Sequence, residues 1–241
     1  MERWDDLQCH GLHLLQDTEQ FCFGVDAVLL ADFARVSNGD RVVDLCSGNG
    51  IVPVLLSGKT NASSVIGIEL QEGPAALAQK SIERNGLVGR VSMIRGDLRD
   101  VASLLPENSC DVVTCNPPYV KVGCALQNPD GVVATARHEI ACTLEDAVRA
   151  AGYLLCPKGR VYFVHRPDRL ADLFCTLRQY GFEPKTLRMV HAYANRPPVL
   201  VLVEGVLGGG AQLRVSAPLF IHNSDGTYTA EIDQIYGRGE S

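Results

Sequence analysis

The stretch Arg41-Val42-Val43-Asp44-Leu45-Cys46-Ser47-Gly48-Asn49-Gly50 decides the fold. It reads as a short apolar strand, a carboxylate near its end, a turn with two glycines, and then an apolar helical run over 50–57. The same rhythm repeats on either side. Val65–Ile68 is a second strand and 72–85 a second helix; Val91–Ile94 and Asp111–Cys115 are a third and fourth strand. Thr143 to Leu155 is a helix opened by a capping box with Asp146 where Glu is usual. Arg160–Val164 is a fifth strand, and Pro167–Tyr180 a helix stopped by Gly181. Strands over 185–192 and 199–205 are joined by Asn195-Arg196-Pro197-Pro198, too short for a crossover helix, so this pair is antiparallel. Alternating strands and helices predict an α/β chain of Rossmann-like type: a mainly parallel sheet with helices on both faces.

The ends are read more simply. Leu7 to Gln16 is a strand pair turning at Gly11, and Asp26 to Arg35 is a helix. Leu213 to Ile232 is a hairpin around Asn223-Ser224-Asp225-Gly226. Three parts result: an N-terminal strand pair and helix (1–36), the central α/β domain (37–206), and a C-terminal hairpin packed on it (207–241).

Composition narrows the classes. The 241 residues are 46% hydrophobic and 21% charged, near the globular average, which excludes a disordered or collagen-like chain. No apolar run reaches the ~20 residues that span a bilayer, and Met1–Asp6 is no signal peptide, so a cytoplasmic protein is expected. Nine cysteines, none three positions from another, make neither a zinc-ribbon nor a disulfide framework. The six histidines show no metal spacing, so no metal is expected. Net charge is −6, unlike a strongly basic nucleic-acid binder, and no DNA partner is expected. Charge is nevertheless uneven: residues 158–196 hold eight basic and three acidic side chains, a face able to meet phosphate.

In a sheet of this kind, ligands bind at the carboxyl ends of the strands. Four consecutive strands each present a polar residue there: Asp44, Glu69, Asp97 and Asn116. Gly48 and Gly50, flanking Asn49, permit a tight turn, and the helix that follows offers its positive end to a carboxylate. Glu69 suits a pair of ribose hydroxyls and Asp97 an adenine amino group. There is no Walker lysine and no full GxGxxG, which disfavours ATP and NAD. A nucleoside with a carboxylate tail fits, and S-adenosylmethionine is that ligand.

The fourth strand ends in Asn116-Pro117-Pro118-Tyr119. Two prolines remove two donors, leaving an acceptor-rich corner of the Asn116 amide oxygen and the Pro117 carbonyl. Two converging acceptors suit a planar NH₂ group, and Tyr119 offers a ring for stacking. Asn116, Pro117 and Tyr119 are therefore the candidate catalytic residues.

Together, Asp44–Gly50, Glu69, Asp97 and Asn116–Tyr119 resemble the class I S-adenosylmethionine-dependent methyltransferases of the NPPY group. Gln20–Leu30, Ala136-Arg137-His138-Glu139 and the tail Pro218-Leu219…Asp225-Gly226-Thr227-Tyr228 resemble the bacterial adenine-N6 methyltransferases of valine tRNA. The resemblance implies a seven-stranded sheet whose last strand enters antiparallel. It implies donor contacts from Asp44, Cys46, Gly48, Asn49 and Gly50, from Glu69 and Leu70 at the ribose, and from Asp97 and Leu98 near the adenine, with release of S-adenosylhomocysteine. Asp26 is assigned to the methionine end, and Asn116 both to a donor contact and to the reacting amine. The partner implied is RNA, in particular tRNA, with Lys121, Arg137, Arg166, Arg169 and Arg196 as candidate phosphate ligands. Oligomeric state is left open. The family usually carries Gly where this chain has Cys46, so that side chain is expected to point away from the donor. Guanine-N2 of RNA and the glutamine amide of a protein share the same pocket chemistry and stand as alternatives. A non-catalytic S-adenosylmethionine-binding protein stands as a third.

Overall fold

The computed structural model describes residues 1–19, 23–118 and 142–238. Strands β1 (Glu2–Asp6) and β2 (His13–Asp17) form an antiparallel hairpin, followed by helix α1 (Val25–Phe33). Then come β3 (Arg41–Leu45), α2 (Ile51–Lys59), β4 (Ser64–Glu69), α3 (Glu72–Arg84) and β5 (Val91–Arg95). A 3₁₀ turn (Leu98–Asp100) and the short α4 (Val101–Leu104) lead to β6 (Cys110–Cys115). The second half holds α5 (Leu144–Leu154), β7 (Leu155–His165), α6 (Leu170–Gln179), β8 (Phe182–His191) and β9 (Pro198–Leu207). The tail adds β10 (Arg214–Val215), β11 (Leu219–Phe220) and α7 (Ala230–Ile235).

The long strands order as β8-β9-β7-β6-β3-β4-β5. β3 to β7 are mutually parallel, and β9 runs antiparallel to both β7 and β8. β8 therefore points the same way as β7, and its carboxyl end joins the rim formed by β3, β4 and β6.

Strand alternation builds a core on each face. Val42 and Val112 belong to one cluster with Leu14, Leu29, Leu56 and Ile232. Val43, Leu45, Val113 and Cys115 belong to the other with Val148, Leu154, Leu173 and Leu177. The hairpin, α1, α2 and α7 cover one side, and α5 and α6 the other. Because β3 and β6 are buried on both faces, they read in sequence as continuous apolar runs. The Thr143 cap forms as expected: its hydroxyl accepts from Asp146 N at 3.1 Å and Asp146 accepts from Thr143 N at 3.0 Å.

Three expectations change. The N-terminal pair is longer, with strands on either side of the 7–12 turn rather than inside it. Trp4 on β1 carries the Arg84 guanidinium 4.4 Å above its ring, a cation–π contact that fastens the hairpin to α3. The tail is not a two-stranded hairpin. Its turn at 223–226 is present and closes with a single bridge, His222 to Tyr228. The preceding segments β10 and β11 instead pair in parallel with β8. That open edge offers unpaired backbone groups, and among the described residues the sheet thus carries nine strands, the seven long ones and these two short additions. No helix among the described residues is long and apolar enough to cross a membrane.

Candidate active site

The parallel register brings the first acidic residue to its partners. Asp44 stands level with Thr114 on β6 and with Gly67 on β4. Asp44 is 1% exposed, and the Thr114 hydroxyl donates to it at 2.6 Å. Burial pushes its carboxyl up to about 7, against the pull of the Thr114 hydrogen bond and with the help of the nearby Glu69 charge. Asp44 thus acts on the glycine turn from beneath it, as a buried brace. Gly67 makes room for this row: a Cβ there would lie 2.5 Å from the Ser47 hydroxyl and would also meet the Met93 sulfur.

Glu69, 7% exposed, ties two segments together. One carboxylate oxygen accepts from Gly48 N at 2.8 Å, the other from Gln71 N at 2.9 Å. Ser47 N donates to Ile68 O at 3.0 Å, so the 46–50 turn is laced to the end of β4. Each carboxylate oxygen has a second lone-pair site, so Glu69 can brace the turn and still accept from a diol. Gly48 and Gly50 both adopt positive φ, +55° and +80°. A Cβ on Gly48 would meet nothing within 4 Å, so that side of the turn faces open space. The first turn of α2 holds no acidic residue and no side-chain cap, leaving its positive end without an internal counter-charge. The Ser47 hydroxyl is buried close to Asp44 and, like Thr114, pulls that carboxyl down against the effect of burial. A backbone cradle, an uncapped helix start and a braced carboxylate fit the carboxylate and ribose of S-adenosylmethionine. Asn49 and Leu70 flank this turn, both half-buried.

At the next strand end, Asp97 caps the 3₁₀ turn by accepting from Arg99 N at 2.9 Å. The Arg99 guanidinium grips the same carboxylate at 2.6 Å and holds it below the usual carboxylate range. Arg99 must therefore swing aside, or share, for Asp97 to receive an adenine amine. Leu98 turns inward, 7% exposed, into the core cluster of β3 and β6.

Asn116 lies 90 positions from Asp26, yet its Nδ2 donates to Asp26 Oδ2 at 3.1 Å. A carboxylate can only accept, so the amide end facing Asp26 is the NH₂ and Oδ1 is turned the opposite way. The other Asp26 oxygen accepts from Ala27 N at 2.9 Å, anchoring it in the first turn of α1. Gly24 leaves this carboxylate room, since a Cβ on it would come 2.8 Å from Asp26 Oδ1 and the side chain would have to shift. The sequence assigned Asp26 to the methionine end; the structure brings it to the amide of Asn116. Pro117 is buried beside it. Tyr119, Lys121 and Arg137 lie outside the described residues.

Cys46 takes a left-handed backbone, φ +57°, normally reserved for glycine. Its sulfur packs 3.3 Å from that of Cys142 and belongs with the core around β6. A shared hydrogen bond with Cys115 holds the Cys46 thiol well above its ordinary value, and its partners Cys115 and Cys142 are likewise raised. These are protonated packing groups rather than nucleophiles.

Sequence reasoning missed Thr114, Gly67, Ser47, Arg99 and Cys142. Thr114 could have been found by laying Val42-Val43-Asp44-Leu45 over Val112-Val113-Thr114-Cys115, whose matching pattern places the two polar residues level. The basic stretch 158–196 is largely neutralised in place. Arg160 pairs with Asp40, Arg166 with Asp168, Arg169 with Asp172, Arg178 with Glu183 and Arg188 with Glu231. Arg196 is exposed and makes no ion pair among the described residues.

Comparison with known proteins agrees with this geometry. Residues 42–141 match the family described as "Methyltransferase domain". The chain is 28% identical over 225 residues to a tRNA1(Val) (adenine(37)-N6)-methyltransferase from Aeromonas hydrophila, covering 92% of each. It is 28% identical over 216 residues to the enzyme of that name from Porphyromonas gingivalis, covering 86% of this chain and 84% of the relative. Among solved structures, a predicted O-methyltransferase from Agrobacterium tumefaciens aligns with TM-score 0.72 at 23% identity, over 88% of this chain and 96% of the other. Residues 42–141 thus match a methyltransferase domain, and the chain resembles, along nearly its whole length, the tRNA1(Val) adenine-N6 methyltransferases.

Proposed function

We propose that the protein methylates the exocyclic N6 amine of an adenine in tRNA, with S-adenosylmethionine as donor. Adenine 37 of tRNA1(Val), for which its relatives are named, is the first candidate position. The observation that carries the reading is the Asn116 amide, fixed by Asp26 at the end of β6 and followed at once by the Pro117 carbonyl.

Gly48, Asn49, Gly50 and the start of α2 would hold the donor's methionine end, Glu69 its ribose, and Asp97 with Leu98 its adenine. When bound, the donor supplies an electrophilic methyl group on a sulfonium centre. The chain's own residues prepare the acceptor. The free adenine amine is planar, with its lone pair delocalised into the ring. Asn116 Oδ1 and the Pro117 carbonyl accept its two N–H bonds and draw the nitrogen towards a pyramidal geometry. Asp26 keeps the amide from flipping and offering NH₂ to the substrate. Tyr119 is assigned to stack on the flipped base, whose extrusion from an unpaired loop costs little. No strong general base is needed, because the proton leaves after the methyl arrives. Alignment of the two reactants is the main catalytic contribution, worth up to ~7–11 kcal/mol.

The test offers three acceptors in parallel with labelled donor: unmodified bacterial tRNA, ribosomal RNA, and a glutamine-containing release-factor peptide. Label in tRNA alone, recovered as N6-methyladenosine, supports the reading. N2-methylguanosine would move the target to another base, and label in the peptide would replace RNA by protein.

A further inference from the structure

Four rings from three separate segments form a ladder on the catalytic rim. Tyr193 follows β8, His222 and Tyr228 flank the tail turn, and Tyr236 ends α7. Successive ring centroids are 5.3 Å (Tyr193–His222), 5.0 Å (His222–Tyr228) and 6.3 Å (Tyr228–Tyr236) apart, with interplanar angles of 31°, 19° and 20°. The Arg238 guanidinium sits 5.2 Å over Tyr228 and 4.8 Å over Tyr236. These are offset-stacked pairs, and they join three segments into one continuous aromatic surface.

The ladder leads towards Asn116. β8 shares its carboxyl rim with β3, β4 and β6, and the tail is pinned to it: Ile221 N donates to His191 O and His222 N to Ala192 O. At the inner end, α7 packs on α1, whose first turn carries Asp26, and the Asp26 charge reaches the Tyr236 phenol. Tyr193 at the outer end and Tyr228 within the ladder are 36% and 42% exposed. A turn closed by Arg196 N on Tyr193 O at 3.1 Å holds the exposed Arg196 in the same turn as Tyr193. His222 Nδ1 is buried without a hydrogen-bond partner among the described residues, so this ring is held by stacking rather than by polar contacts. Tail packing alone would be served by aliphatic side chains. The exposed parts of Tyr193 and Tyr228, with the exposed Arg196 nearby in the chain, match the chemistry of an unpaired nucleotide, a π-surface for a base and a cation for a phosphate, while Arg238, paired with Asp233, backs the inner rings.

We propose that the Tyr193–His222–Tyr228–Tyr236 ladder, with Arg196 and Arg238, is the docking track for an unpaired RNA loop, on which nucleotides neighbouring the target base stack. This rests on the RNA reading above and adds where the loop is held. It also explains how an acidic chain binds RNA: stacking supplies what net charge does not.

The test measures binding of unmodified tRNA by filter retention, steady-state methylation, and donor binding by calorimetry. Stacking of one base corresponds to a loss of about 5- to 150-fold on its removal. Tyr193→Ala and Tyr228→Ala are expected to raise the tRNA Kd and KM within that range, with Tyr193→Phe and Tyr228→Phe close to wild type. Donor affinity and kcat at saturating RNA stay unchanged. Arg196→Ala, at an exposed turn that cannot threaten folding, is expected to lower the slope of log K against log salt by about 0.7. If wild type methylates tRNA and neither alanine variant moves Kd or KM beyond two-fold, the ladder proposal falls alone. If wild type binds tRNA through the ladder yet methylates something else, the ladder stands and the reaction reading falls. If wild type neither binds nor methylates RNA, both fall.

Discussion

Asp26 is the residue on which the proposed acceptor geometry depends most, and its removal is the most informative perturbation. It accepts from Asn116 Nδ2 at 3.1 Å, and in the proposed mechanism this bond decides which end of the amide meets the substrate. Asp26→Ala releases that constraint. A hydrogen bond to a charged group contributes about 1.5–3 kcal/mol. If the bond is needed only to hold the reactive geometry, kcat should fall roughly 10- to 150-fold, at 1.36 kcal/mol per decade. Asp26→Asn can still present an oxygen to Asn116 and should lie between the two. Donor affinity should change less than about two-fold, because the glycine turn and Glu69 are braced independently of Asp26. The assay is single-turnover methylation of unmodified tRNA at saturating donor and RNA, beside calorimetric donor binding. A kcat for Asp26→Ala within two-fold of wild type would refute the orienting role. An equal loss in donor affinity would return Asp26 to the methionine end.

Three further outcomes follow from the same geometry. Asp44 has its folded pKa raised to about 7 from 3.8, so between these values the folded chain retains a proton that the unfolded chain has lost. Stability then falls as pH rises through that window, by at most ~1.36 kcal/mol per pH unit, and Asp44→Asn should abolish this slope in urea melts at pH 5 and 7.5. Parallel curves for the two proteins would contradict the buried-brace reading. Gly67→Ala forces a methyl against Ser47 Oγ and the Met93 sulfur, and should cost about 1–3 kcal/mol in chemical denaturation while weakening donor binding. A variant as stable as wild type would show that the row can relax. Glu69→Gln loses a charged acceptor for Gly48 N, and donor affinity measured by calorimetry should fall more than about ten-fold; an unchanged Kd would remove Glu69 from the site.

Much of this was legible in the sequence because short-period patterning is local. β3 was read to the residue from Arg41–Leu45, and the four polar strand ends followed from counting. What stayed hidden depends on contacts across the chain. Asp26 meets Asn116 over 90 positions, and Cys46 meets Cys142 over 96, distances at which spacing carries no signal. β7 starts at Leu155, not Arg160, because Cys156-Pro157-Lys158-Gly159 reads as a turn while Leu155 already pairs with Cys110 across an irregular register. The tail was misread because Arg214-Val215 and Leu219-Phe220 are too short to declare a partner, and the open edge of β8 claims them. The surroundings of Cys46 follow no local rule: thiols from β6, the glycine turn and the entry to α5 pack together.

The central claim is that Asn116 presents an acceptor to an adenine amine. Its most direct test is methyl transfer from labelled S-adenosylmethionine to unmodified tRNA1(Val) by wild type and by Asn116→Ala, with the product digested to nucleosides and the modified position mapped. The account predicts N6-methyladenosine at a single unpaired position with the wild type, and its loss in the variant with donor binding retained. Undiminished methylation by Asn116→Ala, or label on a group other than an exocyclic amine, would contradict it.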